Sequence, residues 1–170
     1  MKKNSKAIAF IGLFTALAMI MAYIEVLIPP IFPAVPGIKI GLPNIIIVFL
    51  LYRCGPKAAI AVSLLRVVLV TALFGNATAF LFSFAGSVLS LLIMIIMRRL
   101  NLLSAVGVSI TGGVAHNVGQ IAMAILLLDT LEIGYYLVVL TVTGIIAGIV
   151  IGLCGSILIK KAPSNSTFFR

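Results

Sequence analysis

Long apolar runs alternate with short polar or charged breaks along this chain, and the pattern predicts six membrane-spanning helices. A spanning helix needs roughly 20 predominantly apolar residues. Five of the runs reach about that length, and the remaining one is shorter. The predicted helices are residues 7–28, 44–52, 57–74, 77–97, 102–128 and 133–159. We therefore expect an all-α membrane protein with one transmembrane domain, residues 1–170, in which residues 162–170 form a loose tail.

The region between the first two predicted helices, residues 29–43, contains five prolines. Proline interrupts helical hydrogen bonding, so a loop is predicted, and we expect this extracellular loop to act as a lid. The following run, 44–52, would rise only about 14 Å as a helix. It could be one arm of a re-entrant hairpin, but that arrangement would leave Arg53 and Lys57 at membrane depth, which is costly. The sequence therefore favours a short second helix whose outer half is completed by the loop.

The charged residues are distributed unequally between the two sides of the predicted membrane. The basic residues on the side of the amino terminus are Lys2, Lys3, Lys6, Arg53, Lys57, Arg98, Arg99, Lys160, Lys161 and Arg170. The other side has Lys39 and the three acids of the chain, Glu25, Asp129 and Glu132. Because cytoplasmic loops are enriched in Lys and Arg, both termini are predicted to be cytoplasmic. The expected location is the cell membrane of a bacterium, that is, its cytoplasmic membrane.

The composition agrees with a membrane protein, since 63% of the residues are hydrophobic and 9% are charged. An ordinary soluble domain is about 45–50% apolar and about 25% charged. The net charge of +9 lies in loop clusters and not along one face, so no nucleic-acid partner is expected. Cys54 and Cys154 fall near predicted cytoplasmic helix ends, where thiols stay reduced, and no disulfide is expected.

Arg66 lies in the middle of the third predicted helix, where an ionised side chain costs several kcal/mol unless it has a partner. Two interpretations remain open. Arg66 could anchor an anionic or carbonyl group of a bound molecule. It could instead form an internal salt bridge, for example to Glu25, or pair with backbone carbonyl groups.

The fifth predicted helix carries three polar side chains within five residues, His116, Asn117 and Gln120, next to two glycines. Buried polar groups need partners because lipid offers none. They could line a ligand cavity, which the adjacent glycines favour, or join neighbouring helices by hydrogen bonds. The serines at 83, 87 and 90 are interpreted as close-packing residues. Glycines at 144, 148 and 152 would allow close approach of another helix, from this chain or from another subunit.

Several catalytic patterns are missing from the sequence. It contains no G-x-x-x-x-G-K-[ST] phosphate loop, so the chain is not expected to hydrolyse ATP itself. With one His and two distant Cys, no metal site is predicted. We expect no catalytic residues and no cofactor, and therefore a protein that is not an enzyme.

Residues 39–44 (KIGLPN), residues 52–56 (YRCGP) and the following helix with Arg66 resemble the substrate-binding S components of energy-coupling factor vitamin transporters. The resemblance implies an S-component-like bundle that is loaded from outside. In that family the first helix presents a small-residue face to a transmembrane coupling partner. Gly12, Ala16, Ala18 and Ala22 match that face, and are the implied partner interface.

Most of the chain, residues 7–153, resembles more closely the membrane family called heptaprenyl diphosphate synthase component I, or Gx transporter family. The matching stretches are residues 37–45 (GIKIGLPNI), 63–69 (SLLRVVL), 82–87 (FSFAGS) and 114–120 (VAHNVGQ). Prenyl diphosphate synthases bind magnesium through paired aspartate-rich motifs, whereas this chain has only Asp129. Substrate capture fits these residues better than synthesis.

Three functional hypotheses follow. The first is a substrate-binding subunit of an ATP-driven small-molecule importer, with coupling and ATPase subunits on separate chains. Its expected ligand-binding residues are Arg66, His116, Asn117 and Gln120, with Lys39 and Asn44 at the rim. The second is a non-catalytic membrane subunit for isoprenoid, heptaprenyl diphosphate or quinone synthesis. The third is a stand-alone membrane facilitator.

Overall fold

A computed structural model of the chain describes residues 2–28 and 41–162, with side chains from residue 5 onward. Within these residues it contains no strand and six α-helices, followed or joined by short turns. The helices are α1 (Lys2–Leu27), α2 (Asn44–Arg53), α3 (Pro56–Phe74), α4 (Ala77–Leu100), α5 (Ala105–Leu128) and α6 (Tyr136–Lys161). A 3₁₀ helix, Leu131–Tyr135, precedes α6. The prediction of an all-α membrane bundle with six helices is confirmed, since five of the helices are long and apolar enough to cross a membrane.

Local sequence signals set several of the helix boundaries. Gly55 adopts φ +93°, a conformation that suits glycine, and Pro56 then occupies the start of α3. The side chain of Asn76 accepts a hydrogen bond from the backbone N–H of Ala79 at 2.8 Å and caps α4. Ser104 caps α5 in the same way. These caps satisfy backbone donors that a helix start leaves unpaired.

The basic end of the bundle is the end at which α2, α4 and α6 finish. The Arg53 side chain donates hydrogen bonds to the carbonyl oxygens of Ile159, at 2.9 Å from Nε, and of Ala162, at 2.7 Å. Arg98 at the end of α4 donates to the Tyr52 carbonyl oxygen at 3.2 Å. Arg53 therefore lies level with the ends of α4 and α6. This is the position expected if residues 44–52 form a short second helix, and not the mid-membrane position expected for a re-entrant hairpin.

The first helix runs in the opposite direction to α2. Phe14 of α1 stacks on Phe49 near the end of α2, with ring centroids 5.7 Å apart. The carboxylate of Glu25, near the end of α1, accepts a hydrogen bond from the backbone N–H of Gly41, just before α2 begins. Both ends of the described chain thus lie toward the basic end of the bundle.

Helix α2 fills only the half of the bundle near the basic end. Its neighbour α6 meets it from Ile151 onward: a methyl group on Gly41 would lie 3.2 Å from Ile151 Cδ1, and one on Gly155 would lie 3.1 Å from Val48 Cγ1. The side chains of Ile47, Leu50 and Leu51 are 0–1% exposed and form the centre of the apolar core. The core therefore occupies the basic half of the bundle, and no helix takes the place of α2 in the other half among the described residues.

Helices α4, α5 and α6 pack closely through glycines. A methyl group on Gly113 of α5 would lie 2.5 Å from the Gly144 carbonyl oxygen of α6. One on Gly148 would lie 2.6 Å from Ile110 Cα, and one on Gly152 would lie 2.7 Å from Val106 Cα. The glycines spaced by four residues in α6 thus contact α5 of the same chain. The sequence alone had left open whether the neighbouring helix belongs to this chain or to another subunit.

Candidate functional site

A cavity of about 270 Å³ lies in the half of the bundle that α2 does not fill, and residues from all six helices line it. We call it the six-helix cavity. Its lining extends to Thr71, close to the end of α3, and to Ala79, close to the start of α4, so it reaches the end opposite the basic end. The volume is near the lower limit of roughly 300–1,000 Å³ that is usual for small-molecule sites.

In the described part of the chain, Arg66 of α3 is the one Lys or Arg side chain that lines the six-helix cavity. Its Nε atom is buried and finds no hydrogen-bond partner among the described residues. Glu25 lines the same cavity and is close enough to interact electrostatically with Arg66. The Glu25 carboxylate is already engaged by the Gly41 backbone N–H. Glu25 thus offsets part of the cost of the buried charge without satisfying the Nε donor.

Ser87 of α4 is a second buried group without a hydrogen-bond partner in the described part of the chain, at its Oγ atom. It lines the six-helix cavity together with Ser83, one helical turn away. The sequence interpretation assigned both serines to close packing and missed this position. The i, i+4 spacing of the two hydroxyls on one helix face was the available signal.

His116, Asn117 and Gln120 of α5 all line the six-helix cavity. The side-chain amide of Asn117 donates a hydrogen bond to the Leu140 carbonyl oxygen of α6. Asn117 therefore joins two helices, one of the two roles that the sequence left open, while the rest of its side chain borders the cavity. Gly144 makes this contact possible, since a methyl group there would lie 2.8 Å from the Asn117 amide nitrogen.

His116 and Gln120 extend toward α4 at Gly86. A methyl group on Gly86 would lie 3.0 Å from His116 Cε1 and 3.0 Å from Gln120 Cγ. It would also stand 2.9 Å from the His116 backbone oxygen, so this is a close contact between the two helices. Gly86 therefore leaves the space that these two polar side chains use beside the cavity.

Asn44 lines the six-helix cavity at the first turn of α2. The remaining expected rim residue, Lys39, lies outside the described residues, as do residues 29–40 of the predicted lid and residues 163–170 of the tail. The structure thus brings Arg66, His116, Gln120 and Asn44, with Asn117, to one cavity.

The proposed partner face of α1 needs a correction. Gly12 and Ala16 are exposed, and nothing lies within 4 Å of a methyl group placed on Gly12. Ala18, however, is fully buried, and Ala22 is 7% exposed and lines the six-helix cavity. Ala18 and Ala22 lie two and six positions beyond Ala16. Because each residue of an α-helix is rotated by about 100°, these positions lie on the side of α1 opposite to Ala16, which is the side that faces the bundle. Of the four residues predicted for the partner face, only Gly12 and Ala16 are therefore exposed on the described chain.

Among the described residues, no group of three or more His, Cys, Asp or Glu side chains lies close enough to hold a metal ion. Of the three acids, Glu25 borders the six-helix cavity, whereas Asp129 and Glu132 are exposed in the connection between α5 and α6. Within residues 2–28 and 41–162, the charged groups that line the cavity are therefore Arg66 and Glu25.

Comparison with known families matches residues 14–158 to the family model for heptaprenyl diphosphate synthase component I. The match extends over most of the 170 residues and includes every helix that lines the six-helix cavity. Neither the comparison with curated proteins nor the comparison with solved structures gave a match.

Proposed function

The chain belongs to the heptaprenyl diphosphate synthase component I family, and we propose that it is the substrate-binding membrane subunit of an ATP-driven small-molecule importer. The six-helix cavity captures the ligand from the outside. Coupling and ATPase subunits are supplied by separate chains, as in transporters with S components. The observation that carries the proposal is that two residues lining one cavity each have a buried polar atom, Arg66 Nε and Ser87 Oγ, that finds no hydrogen-bond partner among the described residues.

Such atoms favour a ligand for energetic reasons. Each buried polar atom that lacks a partner costs about 1–3 kcal/mol. The surrounding lipid cannot relieve this cost, because hydrocarbon offers no hydrogen-bonding group. A ligand with an anionic or carbonyl oxygen would accept from Arg66, and a polar group near α4 would pair with Ser87. His116 and Gln120 add a donor or acceptor on the α5 side.

The position of the cavity supports loading from outside. The apolar core around α2 closes the basic half of the bundle, and the cavity reaches the opposite end. If the basic end faces the cytoplasm, as the enrichment of cytoplasmic loops in Lys and Arg implies, the cavity faces outward. Gly12 and Ala16 on the exposed side of α1 then offer a surface on which a coupling subunit could approach closely.

The family description favours a second candidate, a non-catalytic subunit that supports heptaprenyl diphosphate synthesis. The six-helix cavity has a single carboxylate, Glu25, in its lining. Diphosphate chemistry with magnesium relies on several oxygen ligands, commonly carboxylates. On this candidate, catalysis belongs to another component and the cavity holds a lipid-like or structural molecule.

Native mass spectrometry of the protein purified in mild detergent tests the first candidate. We expect a co-purifying small molecule, and we expect Ser87→Ala to lower its occupancy. Thr15→Val is the matched control, because Thr15 Oγ1 is also buried without a partner among the described residues but does not line the cavity. Equal occupancy in the wild-type chain and both variants would remove the support for the binding role. Co-purification with a prenyl synthase in place of an ATPase would favour the second candidate.

A further inference from the structure

A second cavity, of about 290 Å³, lies at the basic end of the bundle, far from the six-helix cavity. It is bordered by Leu51 of α2, Pro56 of α3, and Ile95, Arg98, Arg99 and Asn101 at the end of α4. We call it the arginine cavity. Two arginines and one asparagine thus line the cavity together with three apolar residues.

One of the arginines is held in place by the protein. Arg98 Nη2 donates a hydrogen bond to the Tyr52 carbonyl oxygen at 3.2 Å. The Arg98 guanidinium carbon also lies 5.2 Å from the centre of the Tyr52 ring, in a cation–π contact. A guanidinium has five N–H donors, and the contact with the carbonyl uses one of them. Arg98 is therefore positioned in advance, with donors left for an anion.

The charge around the arginine cavity is of one sign. Arg53, Lys57, Lys160 and Lys161 lie at the same end, whereas the three acids of the chain, Glu25, Asp129 and Glu132, belong to the opposite end. Two arginines side by side without a neighbouring carboxylate raise the local positive potential, which attracts anions. Planar guanidinium groups match the paired oxygens of a phosphate especially well.

We propose that the arginine cavity binds the phosphodiester headgroup of an anionic phospholipid. Arg98 and Arg99 end a spanning helix and therefore lie at headgroup depth. Within the two helical turns that precede them on α4, the large apolar side chains of Leu92 and Ile96 are 53% and 39% exposed and offer a surface for acyl chains. Basic pockets between helices at this depth are suited to anionic lipid headgroups. The proposal is independent of any ligand in the six-helix cavity, which occupies the other half of the bundle.

Thermal unfolding in detergent with added lipid tests the proposal. The probes are phosphatidylglycerol, phosphatidylcholine and water-soluble glycerol phosphate. The variants are Arg98→Gln with Arg99→Gln, and the control Lys160→Gln with Lys161→Gln, which removes the same charge from the same end outside the cavity. We expect phosphatidylglycerol to protect the wild-type chain more than phosphatidylcholine does. Its apparent affinity should fall at least about tenfold in the arginine variant and less than about twofold in the lysine control.

Two results would overturn the proposal. Equal loss of affinity in the arginine and lysine variants would mean that diffuse charge, and not a site, attracts the lipid. Equal protection by glycerol phosphate and phosphatidylglycerol would identify a free phosphate as the ligand. Because Arg98 also contacts Tyr52, the single variant Arg99→Gln is measured as well. Arg99 is exposed, so this variant should fold, and an unchanged affinity in it would count against the site.

Discussion

The Glu25 carboxylate accepts a hydrogen bond from the backbone N–H of Gly41, across 16 positions of the chain. This contact joins the end of α1 to Gly41, three residues before the start of α2, at the border of the six-helix cavity and near Arg66. Gly41 has φ +79°, and its carbonyl oxygen accepts from the Asn44 N–H at 2.8 Å, so it also starts α2. Gly41 thus contributes both to the start of the short helix and to the lining of the cavity.

Gly41→Ala should therefore destabilise the protein more than Gly55→Ala. Both glycines have positive φ, +79° and +93°, so both substitutions carry a backbone cost of about 1–2 kcal/mol. A methyl group on Gly41 would in addition lie 3.1 Å from Asn44 Nδ2 and 3.2 Å from Ile151 Cδ1. Nothing lies within 4 Å of one on Gly55. The measurement is thermal unfolding of both variants in the same detergent, and equal shifts would contradict this account of Gly41.

A second prediction concerns the close contact between α5 and α6. Gly148→Ala should lower stability by about 1–3 kcal/mol, the cost of forcing extra atoms into a packed interior. Its methyl group would lie 2.6 Å from Ile110 Cα, a backbone atom that cannot move aside alone. Gly12→Ala is the control, because the site is open and alanine favours helix more than glycine. It should be neutral or stabilising by up to about 1 kcal/mol, and a control as damaging as Gly148→Ala would contradict the packing argument.

The fold could largely be predicted because its signals are local. Apolar runs, the Gly55–Pro56 break and the caps at Asn76 and Ser104 each act within a few residues. Arg66 was predictable as a candidate site residue for a similar reason, since a charge in an apolar run is conspicuous whatever surrounds it.

The missed features depend on contacts between distant segments. The sequence places Ser83 and Ser87 on one face of α4, but it does not reveal that Ser87 Oγ lacks a partner among the described residues, because a serine in a helix can satisfy its hydroxyl with its own backbone. Glu25 accepts a hydrogen bond from Gly41, and this contact depends on how the chain brings a residue 16 positions later next to the end of α1. Ala18 and Ala22 continue the small-residue pattern of α1, but only the position of the neighbouring helices determines that they face inward.

A third prediction separates the outward and inward faces of α1. Gly12→Leu combined with Ala16→Leu should leave folding and ligand binding intact, because both residues are exposed. If coupling and ATPase subunits bind this face, as we propose, the double variant should not co-purify with them, since large side chains block close helix approach. Ala18→Leu is the contrasting variant, and it should destabilise the isolated protein because Ala18 is fully buried. A double variant that keeps its partners but loses ligand would show that the face had been assigned wrongly.

The last prediction concerns Arg66 and distinguishes a binding site from a structural pair. A buried arginine persists only if something offsets its loss of hydration, and here the neighbours are Glu25 and the cavity. Arg66→Met keeps the length of the side chain and removes its charge. If the ligand is the main partner, stability in detergent should be unchanged or slightly raised, because the unpaired Nε donor is removed. Ligand binding should weaken by about 2–4 kcal/mol, the range for truncating one member of a buried charged pair.

If Glu25 is the main partner of Arg66, Arg66→Met leaves the Glu25 carboxylate without its cation and the variant should unfold more easily. Adding Glu25→Gln to this variant should restore part of the lost stability, since a glutamine side chain can still accept from the Gly41 N–H. Thermal unfolding and ligand occupancy, measured for the single and double variants, separate these outcomes. A stability defect that Glu25→Gln rescues, with ligand occupancy unchanged, would falsify the binding role of Arg66.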